Sequence, residues 1–147
     1  MLAVHPVRFF ELLPKIPDPR APALFLVFSG LPAAVVWLFL WGPYPALVAL
    51  VLPLPLSLLL AGLYHVGVLD GRYGYVVTWR TLAYPLGFYL PFAAVPVLGL
   101  LGAIIVGLVL MPIGLVRVQE VGRARAMLAC VVVAGLLGSA YYLLGVA

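Results

Sequence analysis

The stretch GLVRVQEVGRARAM, residues 114–127, decides the fold of this chain because it separates two of the most apolar regions of the sequence. This charged segment contains Arg117, Glu120, Arg123 and Arg125, whereas the whole 147-residue chain has only eight lysines and arginines and four aspartates and glutamates. A charge at bilayer depth costs roughly 2.5 to 3.5 kcal/mol, so the charged segment is expected to reach water or lipid headgroups. The sequence therefore predicts a surface loop between two membrane-spanning helices.

The composition of the rest of the chain points to the membrane as well. Hydrophobic residues make up 67% of the chain and charged residues 8%, against about 45 to 50% and about 25% in soluble domains. Runs of about 20 apolar residues are long enough to cross a hydrocarbon core of about 30 Å as helices, and the polar–apolar alternation of a membrane barrel is absent. We therefore expect an all-α, polytopic membrane bundle that forms a single domain over residues 1–147.

The number of crossings depends on one long apolar region. Apolar residues fill positions 21–41, 44–68, 81–116 and 126–146, and the third of these regions is too long for one helix. It forms either two crossings or one tilted helix with a surface segment. Two crossings place all basic clusters on one face, as the preference of positive residues for the cytoplasmic side requires. The sequence thus predicts an interfacial N-terminus at 1–20, inside, a C-terminus outside, and five spans near residues 21–41, 44–68, 76–96, 97–116 and 126–146.

Prolines mark the weak points of the second and third spans. Pro53 and Pro55 interrupt the second, and the prolines at 85, 91 and 96 predict a short, kinked third span that begins as early as Tyr75. They are either tolerated prolines or a broken-helix binding site of the kind transporters use. Since no polar cluster accompanies them, we favour tolerated prolines. The stretch PVRFFELLP, residues 6–14, predicts a two-turn helix on the inner membrane surface.

Small residues recur at every fourth position in the last two predicted spans. The first ridge consists of Gly99, Ala103 and Gly107, and the second of Ala126, Cys130, Ala134 and Gly138. Residues four apart share a helix face, and small side chains on that face let two backbones approach closely. We expect the two helices to pack against each other through these ridges, with a homodimer seam as the alternative.

The chain offers little for catalysis or for metal binding. It has two histidines, His5 and His65, one cysteine, Cys130, and no carboxylate within a predicted span, so no metal cluster or acid–base pair is expected. We expect no enzymatic activity and no cofactor. The alternative function is a small-solute or ion transporter, with a path near the proline-broken spans that includes His65, Tyr84 and Tyr89.

The charged segment carries a resemblance to a known family. Its ends, Gly114-Leu115 and Arg125-Ala126, are similar to those of the corresponding stretch in the Yip family, membrane proteins whose eukaryotic members are named for interacting with Ypt/Rab GTPases. Weaker likeness lies in TWRTLAYPLGFYLPFAAVP, residues 78–96. Gln119 stands where the family usually has His. The resemblance implies a prokaryotic, non-enzymatic, multi-pass protein of the inner membrane that binds lipids, a membrane partner or itself.

The basic residues are the candidate binding site. Five arginines form a predicted rim on the inner face that suits anionic lipid headgroups or an acidic partner: Arg72, Arg80, Arg117, Arg123 and Arg125. The alternative is that these arginines only set the orientation of the chain. We expect membrane lipids, a membrane protein or a second copy as partners, and no nucleic acid.

Overall fold

The computed structural model describes residues 2, 4–69 and 71–145, and the regular secondary structure of this part of the chain is entirely helical, without a strand. The all-α prediction is therefore confirmed. The elements in chain order are α1 (Pro6–Leu12), α2 (Arg20–Trp41), α3 (Pro43–Val51), α4 (Pro53–Gly67), α5 (Tyr75–Tyr89), a 3-10 turn (Leu90–Ala94), α6 (Pro96–Ile104), a π segment (Ile105–Leu110), α7 (Met111–Val118) and α8 (Arg123–Gly145).

Four helical stretches of the described chain are long and apolar enough to cross a membrane. They are Arg20–Trp41, Pro43–Gly67, Val97–Val118 and Arg123–Ala140, and they coincide with four of the predicted spans. The predicted span at 76–96 is not among them, because α5 ends after 15 residues. Pro91, at the start of the 3-10 turn, has no amide proton to continue the helical hydrogen-bond ladder. Residue 146, the last of the predicted span at 126–146, lies outside the described residues.

The prolines of the second span interrupt its helix only slightly. Leu52, between α3 and α4, keeps helical dihedral angles of −62° and −36°. Its N–H donates to the Val48 carbonyl at 2.9 Å, and its own carbonyl accepts from Leu56 N–H at 3.1 Å. Pro53, the first residue of α4, has no amide proton to donate to the Ala49 carbonyl, and the helix is divided at this gap in the ladder. α3 and α4 thus follow each other as one nearly continuous rod.

Helix α5 lies in the centre of the bundle, although it is the least apolar of the long helices. It packs against α2, α4 and α7, and Thr78, Thr81 and Ala83 on it have no exposed surface. The indole N–H of Trp79 donates to Ser57 Oγ at 2.9 Å, and the Ser57 hydroxyl donates to the Leu54 carbonyl at 2.8 Å. Because α5 contacts protein on most sides, it can carry polar side chains that a lipid-facing helix could not.

Two glycines mark positions where helices pack closely against each other. A Cβ at Gly114 would lie 2.5 Å from Thr81 Cγ2 and 2.9 Å from the Phe10 ring, and one at Gly67 would lie 2.7 Å from Ala129 Cβ. α1, which forms as predicted, packs on α7, with Phe10 fully buried. These glycines join α7 to α5 and α1, and α4 to α8.

The predicted small-residue ridges do not form a close-packed seam. A Cβ at Gly138 would meet no atom within 4 Å, and one at Gly107 would meet Tyr64 Oη at 3.6 Å rather than an atom of α8. A Cβ at Gly99 would meet Ala93 of the 3-10 turn at 3.1 Å. Ala103, Gly107, Ala134 and Gly138 instead line a crevice of about 710 Å³ between the two helices. Only the first part of the α8 ridge, Ala126 and Cys130, is buried.

Candidate functional site

The charged residues of three separate segments meet at one end of the bundle. Glu120, in the α7–α8 connection, accepts hydrogen bonds from Lys15 Nζ and from Arg72 Nη1, both at 2.8 Å. Lys15 precedes α2, and Arg72 lies between α4 and α5. Glu120 has a φ of 58°, in the left-handed region that residues other than glycine seldom adopt. The turn thus holds the only carboxylate of the charged segment between two cations.

The hydrogen bonds at Glu120 lower the pKa of its carboxyl group. Those from Lys15 and then Arg72 lower the pKa of the Glu120 carboxyl from 4.5 to about 2. The same contacts with Glu120 raise the pKa of Lys15 and of Arg72. Glu120 is therefore ionised at neutral pH and balances these two cations. A second ion pair joins Arg117 to Glu11 of α1 at 3.2 Å.

A series of hydrogen bonds between buried polar groups, which we call the polar chain, fixes the loop beneath this ion cluster. Gln119 has no exposed surface. Its Oε1 accepts from Tyr73 N–H at 2.9 Å, and its Nε2 donates to Thr78 Oγ1 at 2.7 Å. Thr78 Oγ1 lies 3.0 Å from His65 Nδ1. The charged segment is therefore not a surface loop throughout, which corrects the prediction: its first five residues belong to α7, it is anchored at Gln119, and from Arg123 it is helical again.

Arg80 does not belong to an exposed rim, which corrects a second prediction. Its residue surface is only 6% exposed, because α5 is central and the segment before α2 covers it. Its Nη1 donates to the Ile16 carbonyl at 2.9 Å, and its guanidinium carbon lies 5.7 Å from the centre of the Tyr84 ring. Its Nε has no hydrogen-bond partner among the described residues. Arg80 thus ties the N-terminal segment to α5.

Two other predicted arginines border a pocket of about 290 Å³ between α1, α7 and α8. We call this the basic pocket. Arg117 and Arg123 form its polar edge, and its remaining walls are apolar: Val7, Pro112, Ile113, Val116 and Met127. Arg123 is exposed and forms no ion pair within the described chain. Arg125 is also exposed, two residues further along α8.

Sequence reasoning found the arginines of the basic pocket but not the pocket itself. Val7 lies more than a hundred positions from Ile113 in the chain, and no pattern in the sequence predicts that they line one pocket. One feature of the sequence does indicate apolar surface beside these arginines. Ile113 and Arg117 are four residues apart, as are Arg123 and Met127, so each apolar residue shares a helix face with an arginine.

The three residues of the predicted transport path each pack against protein. The His65 ring meets the Tyr75 ring edge-on at 5.9 Å, and Tyr84 contacts the Phe25 ring at 5.3 Å between ring centroids. Tyr89 lies 5.3 Å from Phe88 by the same measure, and its ring would be 3.2 Å from a Cβ at Gly102. A path through these residues stays a prediction.

The chain matches no protein-family model, no curated protein and no solved structure. Within the described residues, no three His, Cys, Asp or Glu side chains lie close enough together to hold a metal ion. The helical architecture and the charged end of the bundle are therefore the basis for inferring function. Membership of the Yip family stays a prediction.

Proposed function

We propose that this chain is a five-span, non-enzymatic protein of the inner membrane, of the Yip type, which binds anionic phospholipid at its cytoplasmic end and acts in membrane organisation. Two parts of this proposal rest on different observations. The five-span topology rests on helix lengths and on the ion pairs at Glu120, and the ligand rests on the basic pocket.

The length of the central helix supports a fifth crossing. The 15 residues of α5 and the five of the 3-10 turn extend about 22 Å and about 10 Å at the usual rise per residue. Together they match a hydrocarbon core of about 30 Å. Because Arg72 and Glu120 are in contact, the chain between them leaves the charged end and returns to it. A crossing by α5 followed by a crossing from α6 to α7 accounts for this path.

The distribution of charge supports the orientation. Every lysine and arginine lies before α2 or at its first residue, in the α4–α5 connection or the first half of α5, or around the α7–α8 connection. The connections at Gly42 and Val95 carry none. Positive residues collect on the cytoplasmic side of short loops. We therefore place the charged end and the N-terminus inside, and the C-terminal end of α8 outside.

The single observation that carries the ligand proposal is the pairing of two guanidinium groups with apolar walls in the basic pocket. The pocket lies where the stretches Val97–Val118 and Arg123–Ala140 meet, which is headgroup depth if both cross the membrane. A phospholipid phosphate would accept hydrogen bonds from Arg123 and Arg117, as guanidinium groups commonly provide. The start of an acyl chain would lie against Ile113 and Met127.

Native mass spectrometry with phosphatidylglycerol and phosphatidylcholine tests this proposal. We expect the wild-type protein to retain phosphatidylglycerol in preference, and Arg123→Gln to weaken that binding about fivefold, since one arginine near the headgroups contributes on the order of 1 kcal/mol. Arg20→Gln is the matched control, because Arg20 is exposed at the same end but does not line the pocket. An equal loss in both variants would reduce the effect to diffuse charge, and unchanged binding in Arg123→Gln would refute the pocket.

A further inference from the structure

The crevice between α8 and the helix formed by α6 and the π segment is a second candidate site, and it shares no lining residue with the basic pocket. We call it the lateral crevice. It has a volume of about 710 Å³ and lies between three of the stretches that are apolar enough to cross a membrane. Its walls include Leu100, Ala103 and Gly107 on one side and Ala134 and Gly138 on the other, and Tyr64 of α4 also lines it.

Tyr64 is the polar group of this apolar crevice. The residue is only 4% exposed, and its hydroxyl forms no hydrogen bond to any described residue. The hydroxyl borders the crevice beside Gly107, where an added Cβ would lie 3.6 Å from it. The Tyr64 Oη is not among the buried, unpaired side-chain atoms of the described residues, so it is reachable from the crevice, and an acceptor that enters there would supply the hydrogen bond it lacks. The Tyr64 hydroxyl is therefore a free donor that faces an apolar space.

We propose that the lateral crevice binds a slender, lipid-soluble molecule with a carbonyl or similar acceptor oxygen, which accepts a hydrogen bond from Tyr64. The volume lies within the range of about 300 to 1,000 Å³ that small-molecule sites occupy, and apolar walls with one well-placed polar group are typical of such sites. A transmembrane helix is about 10 to 12 Å wide with its side chains. A body of that width fits poorly beside a side chain that is only 4% exposed, whereas a single hydrocarbon chain is slender enough to enter.

The helix that faces Tyr64 contains a π-helical segment, a backbone feature that is common at binding sites. The π segment, Ile105–Leu110, contains Gly107 and Leu108 of the crevice wall. π-helical turns within α-helices are frequent at functional sites. Pro112 follows shortly after and has no amide proton to donate to the Leu108 carbonyl, which helps to explain the widened helix. Glycine at position 107 leaves open the space beside the hydroxyl that the acceptor oxygen would occupy.

A matched pair of probes tests the hydrogen bond directly. The long-chain ketone 2-tridecanone and the alkane tridecane have similar shapes, but only the ketone has an acceptor oxygen. Dissociation constants are measured from the rise in thermal unfolding temperature of the detergent-solubilised protein with probe concentration. We expect the wild-type protein to bind the ketone about fivefold more tightly than the alkane, the effect of one hydrogen bond.

Two conservative variants identify the site. Tyr64→Phe removes only the hydroxyl and should equalise the two probes, and Gly107→Ala should do the same, because its methyl group fills the space beside the hydroxyl at ordinary contact distance. Gly135→Ala is the control, since position 135 lies on α8 with open space around it, and it should keep the preference.

Two results would overturn the proposal. One is equal binding of both probes by the wild-type protein, and the other is a ketone preference that survives Tyr64→Phe. A change of oligomeric state in Gly107→Leu with ketone binding unaltered would assign the crevice to a second copy instead. Because none of these residues lines the basic pocket, failure here would leave phosphatidylglycerol binding unchanged.

Discussion

Arg72 and Glu120 lie 48 positions apart in the chain, yet their side chains form an ion pair at 2.8 Å. A backbone hydrogen bond from Arg72 N–H to the Gln119 carbonyl, at 3.1 Å, joins the same two connections. The α4–α5 and α7–α8 connections are therefore held together by main chain as well as by charge. Lys15 adds the N-terminal segment to this contact, so that three segments depend on one glutamate.

Acid should weaken this junction within a defined pH window. Folding lowers the pKa of Glu120 from its ordinary value of 4.5 to about 2, so its ionised form stabilises the fold fully above about pH 4.5. That contribution declines as the pH falls from about 4.5 to about 2 and is absent below. We expect Glu120→Gln to flatten the pH dependence of thermal unfolding in this window. A wild-type and a variant curve that stay parallel from pH 5 to pH 2 would contradict this prediction.

The amide of Gln119 should matter more for stability than the ion pairs around it. Gln119→Leu leaves the part-buried Tyr73 N–H without the acceptor it has at 2.9 Å. It also removes the amide that donates to the Thr78 hydroxyl at 2.7 Å, so that His65 is the remaining polar neighbour of this hydroxyl. An unpaired buried polar group costs roughly 1 to 3 kcal/mol, so the free energy of unfolding should fall by about that amount. Denaturant titration of the solubilised protein measures it. Arg72→Gln, which changes a mostly exposed ion pair, serves as the comparison and should cost less than Gln119→Leu, because solvent screens exposed ion pairs. Equal losses would show that the polar chain has no special role.

Charge and hydropathy predicted much of this architecture because both reflect the membrane itself. The placement of Arg20 and Arg123 marks the start of two long helices, and the α-helix at Pro6–Leu12 follows from its flanking prolines. Contacts between distant segments were not predictable in this way. Arg80 looks like a surface anchor in the sequence, but the fold covers it with the backbone at Ile16. Tyr64 belongs to no motif in the sequence, yet it lines the lateral crevice.

Glycine substitutions should separate real helix contacts from small residues that only follow a pattern. Gly114→Ala places its methyl group 2.5 Å from Thr81 Cγ2 and should destabilise the protein by about 1 to 3 kcal/mol, as overpacking does. Gly138→Ala meets no atom within 4 Å and should be neutral or stabilising by up to about 1 kcal/mol through helix propensity. Thermal unfolding of the two variants, compared with Gly135→Ala, measures the difference. A loss at Gly138 as large as at Gly114 would show that the predicted ridge is a seam after all.

The most direct test of the five-span account is the side of the membrane on which four single cysteines react with an impermeant maleimide, in a Cys130→Ala background. Gly74→Cys and Gly122→Cys lie at the charged end with open space around them, and Tyr44→Cys and Val95→Cys replace exposed residues beside the uncharged connections. We predict that the first pair reacts only in inside-out vesicles and the second pair only in right-side-out vesicles. Labelling of Gly74→Cys and Gly122→Cys from opposite sides, or of Val95→Cys from the same side as Gly122→Cys, would contradict the crossing by α5 and with it the single basic end.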